Sequence, residues 1–275
     1  MISKTNDMTE TIKCLNCETE FQGDFDFCPK CGQKAQTERF TIKSMAKNLF
    51  LSIFSIDGGV WITVKSLFTR PGQMVLDIIN GKRKRYFSPF PMLLLALSFY
   101  IIIFSFTGSE KSKIKRNYNT GVVESENKSD KDFIDDEKFD YALVKFFTFY
   151  TNHYTTVYIL TIPIFVVCAR ICYGRKNRKR YYWGEYCIPI IYAMIMVTFY
   201  RCLTSIMFYF SVDFYEKVTN FTPLITTVAL FFCFKKMLEF GVINTILRSC
   251  FVYGIYMFFL VTIVISSVIL FGVLI

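Results

Sequence analysis

Long apolar runs separated by charged segments dominate this sequence. The chain is 53% hydrophobic and 18% aromatic, and most of its apolar residues lie in a few continuous stretches. Runs of about 18 or more apolar residues are typical of helices that cross a membrane. The pattern therefore predicts an all-α polytopic membrane protein with about five transmembrane helices. The predicted spans cover 87–107, 154–173, 185–210, 221–235 and 249–274.

The loops between these runs differ in charge, and the difference predicts an orientation. Residues 170–180 contain six basic residues and no acidic residue, whereas residues 108–149 contain eight basic and nine acidic residues. Because cytosolic loops carry an excess of Lys and Arg, we expect the N-terminus in the cytosol, the C-terminus outside and a polar outer loop over 108–140. The first 40 residues are polar and lack the apolar core of a signal peptide, which agrees with this orientation.

Basic residues cluster next to two of the predicted spans. The "KRKR" run at 82–85 is followed at once by Tyr86 and Phe87 and then by an apolar run. Basic residues followed by aromatic residues are typical of a membrane–water interface. We therefore expect the net charge of +10 to attract anionic lipid headgroups. The basic residues expected at this interface are Lys82, Arg83, Lys84, Arg85, Arg175, Lys176, Arg178, Lys179 and Arg180.

Four of the ten cysteines form two Cys-x-x-Cys pairs near the N-terminus, in "CLNCETEFQGDFDFCPKCG". Two such pairs can bring four thiolates onto one ion, and four sulfurs with no open position are typical of structural rather than catalytic zinc. Iron in an iron–sulfur or rubredoxin-like site is the alternative. The spacing predicts a zinc ribbon, with Gly32 in a tight turn after the second pair. The expected zinc ligands are Cys14, Cys17, Cys28 and Cys31.

The segment between the two cysteine pairs is acidic. It carries Glu18, Glu20, Asp24 and Asp26, which would repel the phosphates of a nucleic acid. We therefore expect no nucleic-acid partner, and we expect the ribbon either to contact a protein partner, including a second copy of the chain, or to have a purely structural role.

The segment between the ribbon and the first span is expected to form short helices at the cytosolic surface. Apolar residues recur at helical spacing over 41–54, which predicts an amphipathic helix that packs on the following segments or lies on the membrane. A second apolar segment covers 61–68. Pro71 suits the first turn of a further helix that runs through Ile79, and Gly81 suits its end. The expected domains are a zinc ribbon over 1–36, amphipathic helices over 37–86 and a transmembrane bundle over 87–275.

Two residues that are charged at neutral pH belong to the third predicted span. Glu185 lies at its start and Arg201 within its apolar run, about 24 Å further along the helix, so they cannot pair with each other within that helix. A charge at the depth of Arg201 is costly unless it pairs, reaches the interface or faces a water-filled path. Arg201 and Glu185 are therefore candidates for a transport path, and a structural or interfacial role is the alternative.

Three segments of the chain occur in an order shared with known proteins: "CLNCETEF…FCPKCGQ", "TRPGQMVLDIINGKRKRYFSPF" and "RYYWGEYCIPIIYAMIMVTF". Together they resemble a bacterial family of inner-membrane proteins described as domain of unknown function 3667. The resemblance implies a zinc ribbon ahead of several spans in the inner membrane, and it implies no activity. Members often have Glu-His where this chain has Glu185-Tyr186. The matching positions are Cys14, Cys17, Cys28, Cys31, Arg70, Pro71, Gly72, Gly81, Arg83, Tyr86, Pro89, Tyr182 and Glu185.

Two functions from different classes agree with these observations. The first is a membrane protein whose cytosolic zinc ribbon docks or senses a partner. The second is a channel or transporter for ions, lipids or small solutes, which includes an effector that permeabilises the membrane and is gated by the ribbon. The sequence contains none of the usual metalloprotease, hydrolase or P-loop motifs, so we expect no enzymatic chemistry.

Overall fold

The computed structural model of this chain describes residues 11–22, 25–37, 39–41, 59–123, 154–177, 180–208, 211–238 and 240–273. Among these residues, a small two-stranded antiparallel sheet precedes a bundle of helices. The strands are β1 (Thr11–Lys13) and β2 (Glu20–Gln22). The helices are α1 (Gly59–Thr69), α2 (Pro71–Ile79), α3 (Pro89–Val123), α4 (Tyr154–Leu160), α5 (Ile162–Asn177), α6 (Trp183–Met207), α7 (Val212–Thr219), α8 (Thr222–Leu238) and α9 (Val242–Val273).

Four helical stretches are long and apolar enough to cross a membrane. They are Pro89–Phe106, Trp183–Met207, Lys217–Leu238 and Val242–Thr262. Together with the four neighbouring cysteines near the N-terminus, they confirm the predicted fold class. The fourth predicted span, 221–235, was the shortest in the sequence. The stretch in its place, Lys217–Leu238, is longer because it includes the end of α7, the turn at 220–221 and three further residues at the end of α8.

The second predicted span, 154–173, is not one continuous helix in the structure. It is divided at Thr161 into α4 and α5, and its apolar helical stretch, Tyr158–Tyr173, is shorter than the other four. Pro163 explains the break, since proline has no backbone N–H to donate to the preceding turn and fits only the start of a helix. About 20 apolar residues are needed to span a bilayer, so this segment falls short by length alone.

Three hydrogen bonds show which helix ends lie next to one another. The Arg170 guanidinium donates to the Tyr181 carbonyl over 2.7 Å, and the Tyr181 hydroxyl donates to Met237 at the end of α8 over 2.8 Å. Near the start of α9, Arg248 donates to the Cys172 carbonyl over 2.6 Å. The ends of α5 and α8 and the starts of α6 and α9 therefore lie at one end of the bundle, which we call the head end.

The centre of the bundle is formed by α6, which contacts α3, α5, α7 and α8. Its Tyr186 and Tyr192 are fully buried, and the Tyr192 hydroxyl donates to the Phe87 carbonyl just before α3 over 2.7 Å. Tyr173 of α5 stacks on Phe234 of α8 with ring centroids 4.6 Å apart. Large aromatic side chains thus fill the space between these helices at the head end.

The helix ends predicted at Pro71 and Gly81 are confirmed, whereas the expected place of this segment at the cytosolic surface remains a prediction. The structure starts α2 at Pro71 and ends it at Ile79, and Gly81 has a φ of +99°, which glycine adopts without strain. Met74, Val75 and Ile78 form its buried face. Helix α2 packs mainly on α8, so this segment belongs to the helical core.

Two predicted segments lie wholly or partly outside the described residues. Of the amphipathic helix expected over 41–54, the structure describes only Thr41. Of the polar loop expected over 108–140, the structure describes 108–123, which continues α3 as helix. Both expectations about the character of these segments remain predictions.

Candidate metal centre and head-docking site

The four cysteine sulfurs of the two Cys-x-x-Cys pairs converge on one point. All four Sγ atoms lie within 4.8 Å of one another. Cys14 and Cys31 are 3.6 Å apart at sulfur, and so are Cys17 and Cys28. A tetrahedral metal with bonds to sulfur of about 2.3 Å requires sulfurs about 3.8 Å apart. This cysteine cluster therefore has the donor set and the spacing of a closed four-sulfur metal site.

Each cysteine pair is held by the same backbone hydrogen bonds. In the first pair, the Glu18 N–H donates to the Cys14 carbonyl and the Cys14 N–H donates to the Thr19 carbonyl. In the second pair, the Gly32 N–H donates to the Cys28 carbonyl and the Cys28 N–H donates to the Gln33 carbonyl. The residue after each pair has a left-handed φ, +61° for Glu18 and +67° for Gly32. The turn predicted at Gly32 is confirmed, and Glu18 makes the same turn although it has a side chain.

The cluster contains thiols of opposite acidity. Hydrogen bonds with the Thr19 side chain, 3.3 Å away, and the Thr19 backbone lower the pKa of Cys17 to about 6. Burial raises the pKa of Cys31 to about 11. One ligand is thus pre-ionised at neutral pH, while another must lose its proton when a metal binds. Because all four sulfurs would be used as ligands, a metal here would have no open position for a substrate.

The described residues 11–22 and 25–37, which contain the cysteine cluster, form what we call the head of the molecule. Gln33 joins the head to the turn between α2 and α3. The amide of Gln33, 5% exposed, donates to the Gly81 carbonyl over 2.8 Å. Its oxygen accepts from the backbone N–H groups of Arg83 and Lys84 over 3.2 and 3.3 Å. A side chain at Gly81 would come within 2.8 Å of Leu15, so the absence of a side chain lets the head sit against this turn.

A second contact joins Arg39 to the start of α6. The Arg39 guanidinium donates to both carboxylate oxygens of Glu185, over 3.0 and 3.1 Å, and also to the Arg180 carbonyl over 2.8 Å. Glu185 is 1% exposed, and it also accepts from the Tyr182 N–H over 2.9 Å, which caps the helix. The hydrogen bond to Glu185 raises the pKa of Arg39. A buried carboxylate is thus satisfied by a residue that follows the head.

Phe40 makes the third contact, between the two others. Its buried ring lies under the Arg83 guanidinium, 3.8 Å from the ring centroid. Its backbone passes so close to Gly184 that a Cβ there would overlap the Phe40 carbonyl oxygen and lie 2.9 Å from the carbonyl carbon. We call Gln33, Arg39 and Phe40 the docking residues.

Several of the positions that carried the family resemblance line this docking site or support it. Gly81, Arg83 and Glu185 contact the docking residues directly, as described above, and the Arg39 guanidinium lies over the Tyr182 ring, 4.5 Å from its centroid. A Cβ on Gly72 would come within 2.7 Å of the Phe232 carbonyl, so glycine lets α2 approach α8 closely. The Tyr86 hydroxyl donates to Asp77 over 3.0 Å and fixes the turn to α2, while burial raises its pKa.

The structure separates the two charged residues predicted in the third span. Glu185 lies in the docking site, whereas Arg201, 16 positions further along α6, lines a cavity of about 410 Å³ at the other end of the bundle. The expected transport path through both residues is not formed by one described cavity. Glu185 thus pairs with Arg39, and Arg201 lies at the opposite end of the bundle.

The predicted interface basic residues lie in three places. Lys82, Arg83, Lys84 and Arg85 form the connection between α2 and α3, where Arg83 also stacks on Phe40. Arg180 lies just before α6. The others are in the last turn of α5, where side chains are not described, or at 178–179, outside the described residues. Their contact with lipid headgroups remains a prediction.

Sequence reasoning missed all three docking residues and Gly184. Arg39 and Phe40 stand in a polar segment with no motif, and their partners are more than 40 positions away. A weak signal was available at Gly184, since glycine in the first turn of a long helix lowers helix stability and so suggests a close backbone contact.

The fold and the cysteine cluster define a class of protein: a helical protein with membrane-spanning segments and, ahead of them, four cysteines that can hold a metal ion. Residues 57–101, which contain α1, α2 and the first part of α3, match the model of a family described as protein of unknown function (DUF3667). No curated protein and no solved structure matches the chain. The matched segment includes the Gly81–Arg83 turn on which the head is docked.

Proposed function

We propose that this chain is a bacterial inner-membrane protein whose cytosolic head binds zinc and serves as a docking platform for a protein partner. The observation that carries the proposal is the head itself, which is fixed to the helix ends through Gln33, Arg39 and Phe40. A module held in this way presents its remaining surface in a defined orientation to the cytosol. The platform does no enzymatic chemistry in this proposal.

Zinc is the metal that this site suits best. Four thiolates in a tetrahedral arrangement favour zinc, and a head of this size has too small a core to fold without a metal. The cytosolic position follows from the loop charges, since the basic segment that includes Arg180 lies at the head end and cytosolic loops are enriched in Lys and Arg. Metal analysis of the purified protein separates zinc from iron directly.

The exposed side of the head has the composition of a protein-binding surface. Phe25 and Phe27 are 53% and 57% exposed, although both are large apolar residues. Glu18, Glu20 and Asp26 are exposed on the same small module. Exposed aromatic residues are enriched at protein interfaces. Lys13, Lys30 and Lys34 are exposed on the head as well, and Lys13 pairs with Glu18 over 3.6 Å. The partner expected from this chemistry is a protein with apolar pockets and a rim of mixed charge, and a second copy of this chain is one form that it can take.

The proposal is tested by photo-crosslinking from the exposed surface of the head. A crosslinking amino acid at Phe27 in the full chain, expressed in bacterial cells, should join one protein reproducibly. Cys14→Ser with Cys17→Ser should remove both the metal and this crosslink while the spans still insert. The same crosslinker at Phe251, exposed on α9, is the control. A crosslink that survives loss of the cysteines would contradict the platform function.

A channel or transporter is the second candidate function, and the cavity lined by Arg201 is the observation that favours it. It is tested by solute and lipid flux through proteoliposomes that contain the full chain or the Arg201→Ala variant. Transport requires flux that falls in the variant although the protein is still folded. No flux from the full chain would exclude this function.

A further inference from the structure

The end of the bundle away from the head encloses a cavity of about 410 Å³. Seven helices contribute to its lining: α3, α4, α5, α6, α7, α8 and α9. Its volume lies within the range of about 300–1,000 Å³ that is usual for small-molecule sites. Because the lining comes from most of the bundle, the cavity is a feature of the assembled fold rather than a gap beside one helix.

Arg201 supplies a positive charge to this cavity. It lies on α6 about 27 Å along the helix from Trp183, within a stretch that is long and apolar enough to cross a membrane. Among the lining residues that the structure describes, it alone carries a full charge at neutral pH. A guanidinium is suited to phosphate and carboxylate groups because its N–H donors match two oxygens at once. The cavity is therefore biased toward an anionic group.

Hydroxyl groups add acceptors to the same wall. Thr222 and Thr226 of α8 donate their hydroxyl protons to the carbonyls of Thr219 and Thr222, over 2.6 and 2.8 Å. Thr204, one turn after Arg201, donates to the Arg201 carbonyl over 3.0 Å. A hydroxyl that donates to its own helix keeps lone pairs that can accept from a ligand. The polar part of the cavity thus combines one cationic donor with several neutral acceptors.

The rest of the lining is apolar or aromatic. Phe165, Ile190 and Leu230 contribute apolar surface, and the rings of Tyr253 and Tyr256 contribute aromatic surface. An inorganic anion would leave this part of the cavity unused, whereas an organic molecule with an apolar body would cover it.

We propose that this cavity binds a phosphate ester: the phosphate at Arg201, the ligand's hydroxyl or amino groups at the threonine oxygens and its carbon skeleton against the apolar wall. The ligand is either the headgroup of a phospholipid that enters from the bilayer or a soluble organic phosphate. This inference concerns binding and does not depend on the docking function, since the head lies at the other end of the bundle.

The test is titration of the delipidated full-length protein in detergent, with binding followed by native mass spectrometry. One arm uses a short-chain phosphatidylglycerol and the other uses glycerol 3-phosphate. At least one probe should bind with one-to-one stoichiometry, and Arg201→Gln should weaken its binding by about 10- to 100-fold, because a charge-assisted hydrogen bond is lost. Arg201→Lys should restore part of the affinity. Binding of only one probe identifies the source of the ligand.

The matched control is Arg248→Gln, which removes another half-buried arginine that does not line the cavity. It should bind as the unmodified protein does. If Arg201→Gln does not fold, Thr226→Val keeps the shape of the wall and should still weaken binding about threefold or more through loss of an acceptor. Equal binding by folded Arg201→Gln and the unmodified chain, unchanged binding by Thr226→Val, or no binding of either probe would overturn the proposal.

Discussion

The Glu185 carboxylate shows how single residues join the head to the bundle. It is almost fully buried, yet it accepts two hydrogen bonds from Arg39 and one from the Tyr182 backbone. A buried charge is tolerated only when it is paired in this way. Arg39 itself is half exposed, so solvent screens part of the interaction, and the pair is weaker than a fully buried one.

Loss of Arg39 should therefore destabilise the protein mainly by leaving Glu185 unpaired. We expect Arg39→Ala to cost about 2 kcal/mol, which corresponds to a decrease in Tm of roughly 4–8 °C for a chain of this size. Glu185→Gln removes the charge but can still cap the helix. In that background Arg39→Ala should lower the Tm by no more than about 2 °C. Equal decreases in both backgrounds would show that the two residues are not coupled.

The cysteine cluster makes a separate prediction about pH. A metal binds thiolates only, and the pKa of Cys31 is raised to about 11 whereas that of Cys17 is lowered to about 6, so binding must remove the proton of Cys31. The apparent affinity of the full chain for zinc should therefore fall as the pH is lowered from 8 to 6. Competition with a zinc chelator of known affinity measures it. Equal affinity at both pH values would contradict the requirement for deprotonated cysteines.

Residue patterns predicted what is local and missed what is distant. The Cys-x-x-Cys pairs and the Pro71 and Gly81 ends of α2 were predictable because each depends on neighbours within a few positions. The bond between Arg39 and Glu185 joins residues 146 positions apart, and neither belongs to a motif that would specify the other. The threonines of the cavity were missed for a different reason. Their hydroxyl-to-carbonyl bonds are local, but such bonds occur in helices of every kind and so do not indicate a cavity.

At the scale of elements, the start of α6 is shaped by a backbone that crosses it. Glycine at position 184 lowers the intrinsic stability of a helix by about 1 kcal/mol relative to alanine. The close passage of the Phe40 backbone explains why a side chain does not fit there. The helix therefore gives up some local stability for a contact with the segment that follows the head.

Two Gly→Ala variants separate the effect of the Phe40 contact on stability from the effect of helix propensity. Gly184→Ala should destabilise the chain by about 1–3 kcal/mol, because overlap with Phe40 outweighs the gain in propensity. Gly254→Ala in α9 is the matched control, since a Cβ there meets no atom within 4 Å, and it should be neutral or slightly stabilising. Thermal denaturation of the two purified variants measures the difference. Stabilisation by Gly184→Ala would mean that Phe40 does not pass against α6.

At the scale of the whole molecule, the long helices alternate in direction, and the pair α4 and α5 is shorter than the others. The ends of α5 and α8 meet the starts of α6 and α9 at the head end. The apolar runs made the four long apolar stretches predictable, but the break at Thr161 depended on the position of Pro163 in a helix, which periodicity does not specify. By length and composition, four of the five predicted spans are long enough to cross a membrane.

This alternation predicts the side on which the far end of α9 lies. A reporter fused after Ile275 should be on the side of the membrane opposite to the head, and a reporter placed before Thr11 should be on the head side. An enzyme pair active in only one compartment each provides the measurement. Both reporters on one side would mean that α4 and α5 do not cross and that the chain has an even number of spans.

The central claim is that a metal-bound head is docked on the helix ends, and hydrogen exchange tests it most directly. The backbone carbonyl of Gln33 accepts from the Cys28 N–H of the second cysteine pair, and its side-chain oxygen accepts from the Arg83 and Lys84 N–H groups. Removal of the metal from the full-length protein in nanodiscs should therefore speed exchange of the Arg83 and Lys84 amides by at least about tenfold. Exchange in the middle of α6, over 188–197, should not change. Equal protection of Arg83 and Lys84 with and without metal would contradict the account.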